Sequence, residues 1–263
     1  MGVTAVVSPG AYWSAVGLAA GGCAALCIQA RRRPGRWRLV AAAVVGWVLV
    51  ADAGAYTVNL IVAGKWSAST SLPIALCNAA VLVAATACWW RIPILVELTY
   101  FWGLAGTLQG VVTPDLDTPF PHLVFFEYVT GHLGILVAAL YLVVGLGIMP
   151  RRGSVVRVLA VTAFYTAFVG VVDWVTGANY MFLRSPPRDW TVLRLLGPWP
   201  WYILSATGVG VVLLIFLDMP FWAVRRRRRR AGPVPPPSRR PTDPAPTRRH
   251  AMTSLPPGAS ATC

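Results

Sequence analysis

Seven apolar stretches, with arginines gathered at every second junction between them, constrain this chain more than any other feature. A membrane helix needs about 20 mainly apolar residues, with a range of roughly 17 to 25. Segments near 11–30, 39–63, 73–90, 94–112, 124–149, 155–178 and 199–222 meet that test. The predicted fold class is therefore all-α, a polytopic transmembrane helix bundle of seven spans. Composition agrees: 56% hydrophobic residues, 12% charged residues and a mean hydropathy of +0.61 exceed what a water-soluble core can absorb.

Arg31, Arg32, Arg33, Arg36 and Arg38 follow the first stretch, Arg91 the third, Arg151, Arg152 and Arg157 the fifth, and Arg225, Arg226, Arg227, Arg228, Arg229 and Arg230 the seventh. Cytoplasmic loops carry the excess of basic residues. These junctions are expected inside, which puts the N-terminus outside and the C-terminus inside. The opposite side holds Lys65, Arg184, Arg188 and Arg194, together with the acidic Asp115 and Asp117. Residues 1–10 lack a basic n-region, so the first stretch reads as a retained span instead of a cleaved signal. Lys65 is the sole lysine beside so many arginines, which suits a GC-rich bacterial genome and a multi-pass protein of the cytoplasmic membrane.

From residue 223 the character changes to arginines followed by a proline-rich tract, so residues 1–222 are read as the transmembrane domain and 223–263 as a disordered Arg/Pro-rich cytoplasmic tail. A net charge of +14 could suggest nucleic acid, but the arginines lie in short loops and the tail and form no basic face interleaved with aromatics. The expected partner is membrane phospholipid, with anionic headgroups beside Arg225 to Arg230. The cysteines at 23, 27, 77, 88 and 263 show no metal spacing, and neither a metal nor an organic cofactor has sequence support. No internal repeat of the secondary-transporter kind is evident.

Polar side chains within a span are expensive unless they face the bundle interior. In the proposed topology Cys77 lies about 6 Å and His132 about 12 Å below the outer ends of their helices, at ~1.5 Å per residue. Asn59, Gln109, Asp173 and Asn179 fall in the same outer band. Glu97 and Asp52 fall outside it. Glu127 precedes His132 by five residues and is expected on a different helix face. A thiol becomes a nucleophile when a nearby base favours its thiolate; Cys77 with His132 is the thiol and imidazole pair at comparable depth. A packed cysteine beside a hydrogen-bonded histidine fits the same residues.

Six ordered strings narrow this choice: Leu72-Pro73-Ile74-Ala75-Leu76-Cys77, Tyr100 to Gln109, Thr113-Pro114-Asp115-Leu116, Gly131-His132-Leu133-Gly134, Asn179-Tyr180-Met181-Phe182-Leu183, and Leu196 to Tyr202. Together they resemble the YwaF family of bacterial integral membrane proteins. That family's eukaryotic relatives include a membrane acyltransferase that moves polyunsaturated acyl chains onto ether lysophospholipids. The resemblance implies Cys77 as nucleophile and His132 as general base in a lipid acyltransferase or lipid-ester hydrolase. Asn78 and Gln109 are then candidate oxyanion donors, while Asp173, Asn179 and Arg184 are candidates to contact the lipid. Family members commonly carry a histidine two residues before the cysteine and often an acidic residue after it, where this chain has Ala75 and Asn78. The competing expectation is a non-enzymatic lipid-binding or transport protein whose polar band lines a substrate path.

Overall fold

The computed structural model of the chain describes residues 9–186 and 195–230 apart from Asp115, Asp117 and Pro119. Among these residues every regular element is helical, as a chain in lipid requires if its backbone polar groups are to be satisfied internally. The helices are α1 (Pro9–Arg32), α2 (Trp37–Val62), α3 (Leu76–Trp90), α4 (Pro93–Trp102), α5 (Leu108–Val112), α6 (Leu123–Leu140), α7 (Ser154–Thr176) and α8 (Trp201–Arg230), with π-helical turns at Gly103–Thr107 and Tyr141–Gly145.

Five segments are long and apolar enough to cross a membrane: α1, α2, α6 with its π turn, α7 and α8. The third stretch is shorter than its sequence suggests. Its helix begins only at Leu76, because Leu72 to Ile74 form a turn closed by the Ile74 amide on the Leu72 carbonyl at 2.8 Å. At 15 residues α3 rises about 22 Å, against a hydrocarbon core of about 30 Å. The fourth stretch divides into α4, a π turn and α5, the turn falling on a segment that carries both Gly103 and Gly106. At the other end of the chain, α8 continues through Arg230, past the expected start of the tail at 223, since a run of arginines is itself favourable to helix. Residues 231–263, the rest of that expected tail, lie outside the described residues.

The core is centred on α3, which packs against α2, α4 and α6. Its buried face is built of small side chains, Ala79, Ala80, Ala84, Ala85, Ala87 and Cys88. With no hydrophobic drive between helices in lipid, such residues let backbones approach and gain dispersion contacts. Opposite them lies Gly46 of α2, where a Cβ would stand 2.8 Å from Trp89 Nε1 and 3.0 Å from the Ala85 carbonyl oxygen. Trp89 Nε1 in turn donates to the Ala43 carbonyl at 3.3 Å. Large apolar side chains on the outward faces, Trp47, Phe164, Trp174 and Phe216 among them, are exposed, as lipid-facing positions are.

One end of the bundle is fastened by ions. Glu97, 1% exposed, takes Arg151 Nε at 3.0 Å and Arg157 Nη2 at 2.8 Å on Oε1, and Arg157 Nε at 3.0 Å on Oε2. The Arg151 amide adds a further bond to Oε1 at 3.0 Å. Beside the start of α7, Ser154 Oγ and Arg225 Nη2 both pair with Asp218, and Arg225 Nη1 donates to the Pro150 carbonyl. Glu97 near the start of α4, the α7 entry and the latter part of α8 are thereby tied together. Arg225, the first of the six consecutive arginines, thus has partners within the protein.

Two expectations follow for thermal unfolding in detergent, read by tryptophan fluorescence. Gly46→Val drives a branched side chain into Trp89 and the Ala85 carbonyl and costs about 1–3 kcal/mol; Gly54→Ala, with no heavy atom within 4 Å of its Cβ, leaves the melting temperature unchanged or raises it. Equal melting of the two variants would refute the close contact. At the ionic end, the double change Arg151→Gln with Arg157→Gln strands a buried carboxylate and costs about 3–5 kcal/mol. Glu97→Gln costs less, because the two arginine side chains are 50% and 36% exposed and reach water. The reverse order would show that the arginines, and not Glu97, carry the burial cost.

Candidate functional site

Cys77 is set by the loop that precedes α3. Tyr165 donates to the Ile74 carbonyl at 2.7 Å, and Tyr180 donates to the Ala68 carbonyl at 2.7 Å while accepting the Leu72 amide at 2.9 Å. Held in this way, the chain enters α3 through Ala75 in extended conformation, and Cys77 falls in the first helical turn. The amides of a first turn have no intrahelical partner, and the helix dipole favours negative charge there. Ala75 at the cap supplies no side-chain acceptor, so those amides are not taken up by it. Thr107 is buried at the end of the π turn. Such turns recur at functional sites because they shift the side chains that follow.

His132, on α6, pairs its Nδ1 with the Tyr128 carbonyl at 2.8 Å. A carbonyl only accepts, so Nδ1 carries the proton and Nε2 keeps its lone pair. The imidazole stacks on the Tyr128 ring with centroids 4.1 Å apart and planes 23° off parallel. Tyr128 is itself anchored through its hydroxyl to the Gly110 carbonyl at 2.7 Å. A Cβ at Gly110 would lie 2.8 Å from His132 Cδ2 and 3.0 Å from Nε2, so glycine there leaves room for the ring.

Cys77 and His132 line one cavity of about 440 Å³, together with Asn78, Asp52, Tyr56 and Glu127. The thiol and the imidazole are not hydrogen-bonded to each other. The cavity lies along the seam between α2 and α6, with Asp52, Ala53 and Tyr56 from one helix and Glu127, Tyr128, Gly131 and His132 from the other. A Cβ on Gly134 would be 2.7 Å from Leu49 Cδ2, and one on Gly131 would be 3.1 Å from Asp52 Oδ2.

The other expected site residues are elsewhere. Gln109 is exposed and does not line the cavity. Asp173, Asn179 and Arg184 knot the loop after α7: Asp173 Oδ1 accepts the Tyr180 amide at 3.0 Å, Asn179 Oδ1 accepts the Arg184 amide at 2.9 Å, and Arg184 Nη1 reaches the Asp173 and Ala178 carbonyls at 3.4 Å. Asn179 borders a second, separate cavity with Ser69, Thr70 and Tyr180. These polar groups satisfy backbone instead of converging on Cys77, because a chain that reverses at Gly177 leaves carbonyls and amides to be paired. Asp52 and Glu127, which depth and spacing had set aside, are in the cavity wall. The available signal was their ionisable character within apolar helices.

Comparison with known proteins bears on the kind of molecule and leaves its chemistry open. An uncharacterized protein of Treponema pallidum (strain Nichols) is 28% identical over 152 residues, covering 57% of this chain and 62% of that relative's length. No solved structure matches. The six strings that resemble the YwaF family all fall within the span matched by a family of another name: residues 5–218 match the TMEM164 family. With its apolar helices and a match over most of its length, this chain is a membrane protein and belongs to the TMEM164 family.

Proposed function

We propose that this protein is a lipid acyltransferase or lipid-ester hydrolase in which Cys77 is the nucleophile and His132 the general base. The observation that carries the reading is the placement of a first-turn thiol and an imidazole with a free Nε2 in the wall of one cavity within an otherwise apolar bundle. The resemblance of the ordered strings supports the same two residues.

In this reading all seven apolar segments cross the cytoplasmic membrane of a bacterium, with the N-terminus outside and the C-terminus inside. Cys77 and the cavity then open toward the outer leaflet, where phospholipid is the substrate at hand. Arginines at the end of α8 and the chain beyond it meet the anionic inner surface.

The chemistry follows from the positions. His132 Nε2 takes the thiol proton as Cys77 Sγ bonds to the carbonyl carbon of a glycerolipid ester. First-turn amides of α3 and the Asn78 side chain are the donors nearest to where the oxyanion forms. The ester C–O bond breaks, the departing alkoxide takes the proton back from Nε2, and the acyl group remains on sulfur as a thioester. A lysolipid hydroxyl, or water, then gives its proton to Nε2 and attacks the thioester carbonyl; the C–S bond breaks, the new ester or free acid leaves, and Nε2 returns the proton to the Cys77 sulfur.

A chloroacetamide probe carrying an acyl chain, applied to the purified protein in lipid, tests the pair. The expected result is labelling that maps to Cys77, disappears in Cys77→Ala and slows about 10²-fold in His132→Ala, within the usual reach of general-base catalysis. Equal background labelling of all three forms would remove the nucleophile and leave the transport or lipid-binding reading. A second variant probes positioning. Gly110→Ala places a methyl group against the imidazole and slows labelling about tenfold or more, since small misplacements of a catalytic group are costly. An unchanged rate in that variant would show that the Nε2 position is immaterial to the thiol.

A further inference from the structure

The cavity contains two carboxylates for which acyl transfer has no use. Asp52 of α2 and Glu127 of α6 both line the space that Cys77 and His132 share, and Asp52 Oδ2 would stand 3.1 Å from a Cβ at Gly131, one turn along α6 from Glu127. Glu127 is 6% exposed, yet neither of its carboxylate oxygens has a hydrogen-bond partner. Elsewhere in this bundle a buried acid is treated differently: Glu97 receives five hydrogen bonds from Arg151 and Arg157. Among the described residues no arginine, lysine or histidine forms an ion pair with Asp52 or Glu127.

A desolvated, unpaired carboxylate is costly, and a second one nearby raises the cost through like-charge repulsion. A cation in the cavity offsets both. Its chemical type is narrowed by the lining. A hard metal ion takes six or more oxygen ligands in a closed shell, and no third metal-ligating side chain joins the pair among the described residues. The rest of the cavity wall includes the Tyr56 and Tyr128 side chains, the apolar Val81, Leu82 and Ile135, and the neutral polar Thr57, Ser71, Asn78 and Thr118. Carboxylate oxygens with aromatic faces and aliphatic walls suit an alkylammonium, which combines a positive charge with apolar substituents. A cavity of about 440 Å³ is also larger than an inorganic ion needs and of the size that holds small organic groups.

We infer that Asp52 and Glu127 form a subsite for an ammonium group, carried by a phospholipid headgroup or by a free amine, in the cavity that Cys77 and His132 line. The inference deepens the proposed function by assigning a headgroup class to its substrate, but binding does not require the acyl-transfer step. An ammonium held at the pair anchors one end of a lipid while its ester linkages lie toward the thiol. Glycerol or inositol headgroups carry no positive charge and leave the carboxylates unpaired.

Native mass spectrometry of the full chain in detergent, offered lysophosphatidylethanolamine and lysophosphatidylglycerol of the same acyl chain, reads the preference directly. The expected result is at least tenfold better retention of the ethanolamine lipid by the wild type, with Asp52→Asn and Glu127→Gln each reducing that preference at least fivefold. A parallel arm with free ethanolamine distinguishes the source. Displacement of the lipid only by ethanolamine lipid supports a headgroup site; displacement by millimolar free ethanolamine supports a soluble-amine site of the same chemistry. Equal retention of the two lipids by the wild type, with no competition from ethanolamine, overturns the inference without reliance on any variant. A preference that survives in Glu127→Gln overturns it as well. Cys77→Ala is expected to keep the full preference, so loss of the nucleophile reading and loss of the ammonium subsite give different results.

Discussion

The contact on which the remainder of this structure depends is the approach of α2 to α3 and α6. Gly46 meets Trp89 and Ala85, and Leu49 meets Gly134, at separations that admit no additional carbon. In a bilayer this closeness has no hydrophobic drive behind it and rests on dispersion between small residues and backbone. Gly46, Leu49, Ala53 and Tyr56 recur at three- and four-residue intervals along one helix face, so the same stripe that makes the tight contact runs on into the cavity wall. Glycines on α6 answer it at Gly134 and Gly131, and beyond them come Tyr128 and Glu127. Along this seam the close glycine contacts give way to Asp52, Tyr56, Tyr128 and Glu127, which line the cavity.

The two ends of the bundle divide stability from chemistry. At the end where α3 finishes and α4 begins, Glu97 and Asp218 are saturated by arginines that are partly in contact with water. That arrangement limits the desolvation cost, since only the carboxylate of Glu97 is fully withdrawn. Toward the opposite end of α3, where Cys77 lies in the first turn, both carboxylate oxygens of Glu127 are left without hydrogen-bond partners and no side chain caps the helix. A bundle held at one end tolerates unsatisfied groups at the other, and unsatisfied groups are what a ligand can use.

Much of this was legible in the sequence where lipid dictates the answer. Long apolar runs had to be helices, and the helical segments fall close to the stretches read from hydropathy. Where runs are broken by local chemistry, hydropathy was a poorer guide. The turn at Leu72 to Ile74 shortened α3, and π turns at Gly103–Thr107 and Tyr141–Gly145 interrupted segments that look continuous by composition. Site residues divide in the same way. Cys77 and His132 share a cavity because their depth was set by helix ends and their faces by α3 and α6 packing. Asp173, Asn179 and Arg184 have similar depth but are consumed by the loop after α7, and depth alone carries no information about azimuth around the bundle. Asp52 was discounted for its mid-span position, although only the contact with Gly131 reveals which way it faces.

The orientation of His132 clarifies why the acids matter. In many thiol and hydroxyl enzymes an acidic side chain holds the proton-bearing nitrogen of the base. Here the Tyr128 carbonyl takes that place, and the stack with the Tyr128 ring fixes the plane. A carbonyl is neutral, so it sets the tautomer without contributing a full negative charge to stabilise an imidazolium. The carboxylates of Asp52 and Glu127 are thus free of that task while remaining in the same enclosed space. In the proposed reading, an ammonium ligand paired with Asp52 and Glu127 brings positive charge into the enclosed space where the Cys77 thiol must lose its proton, and a cation nearby favours the thiolate. On that reading substrate binding and activation of the nucleophile are coupled through electrostatics.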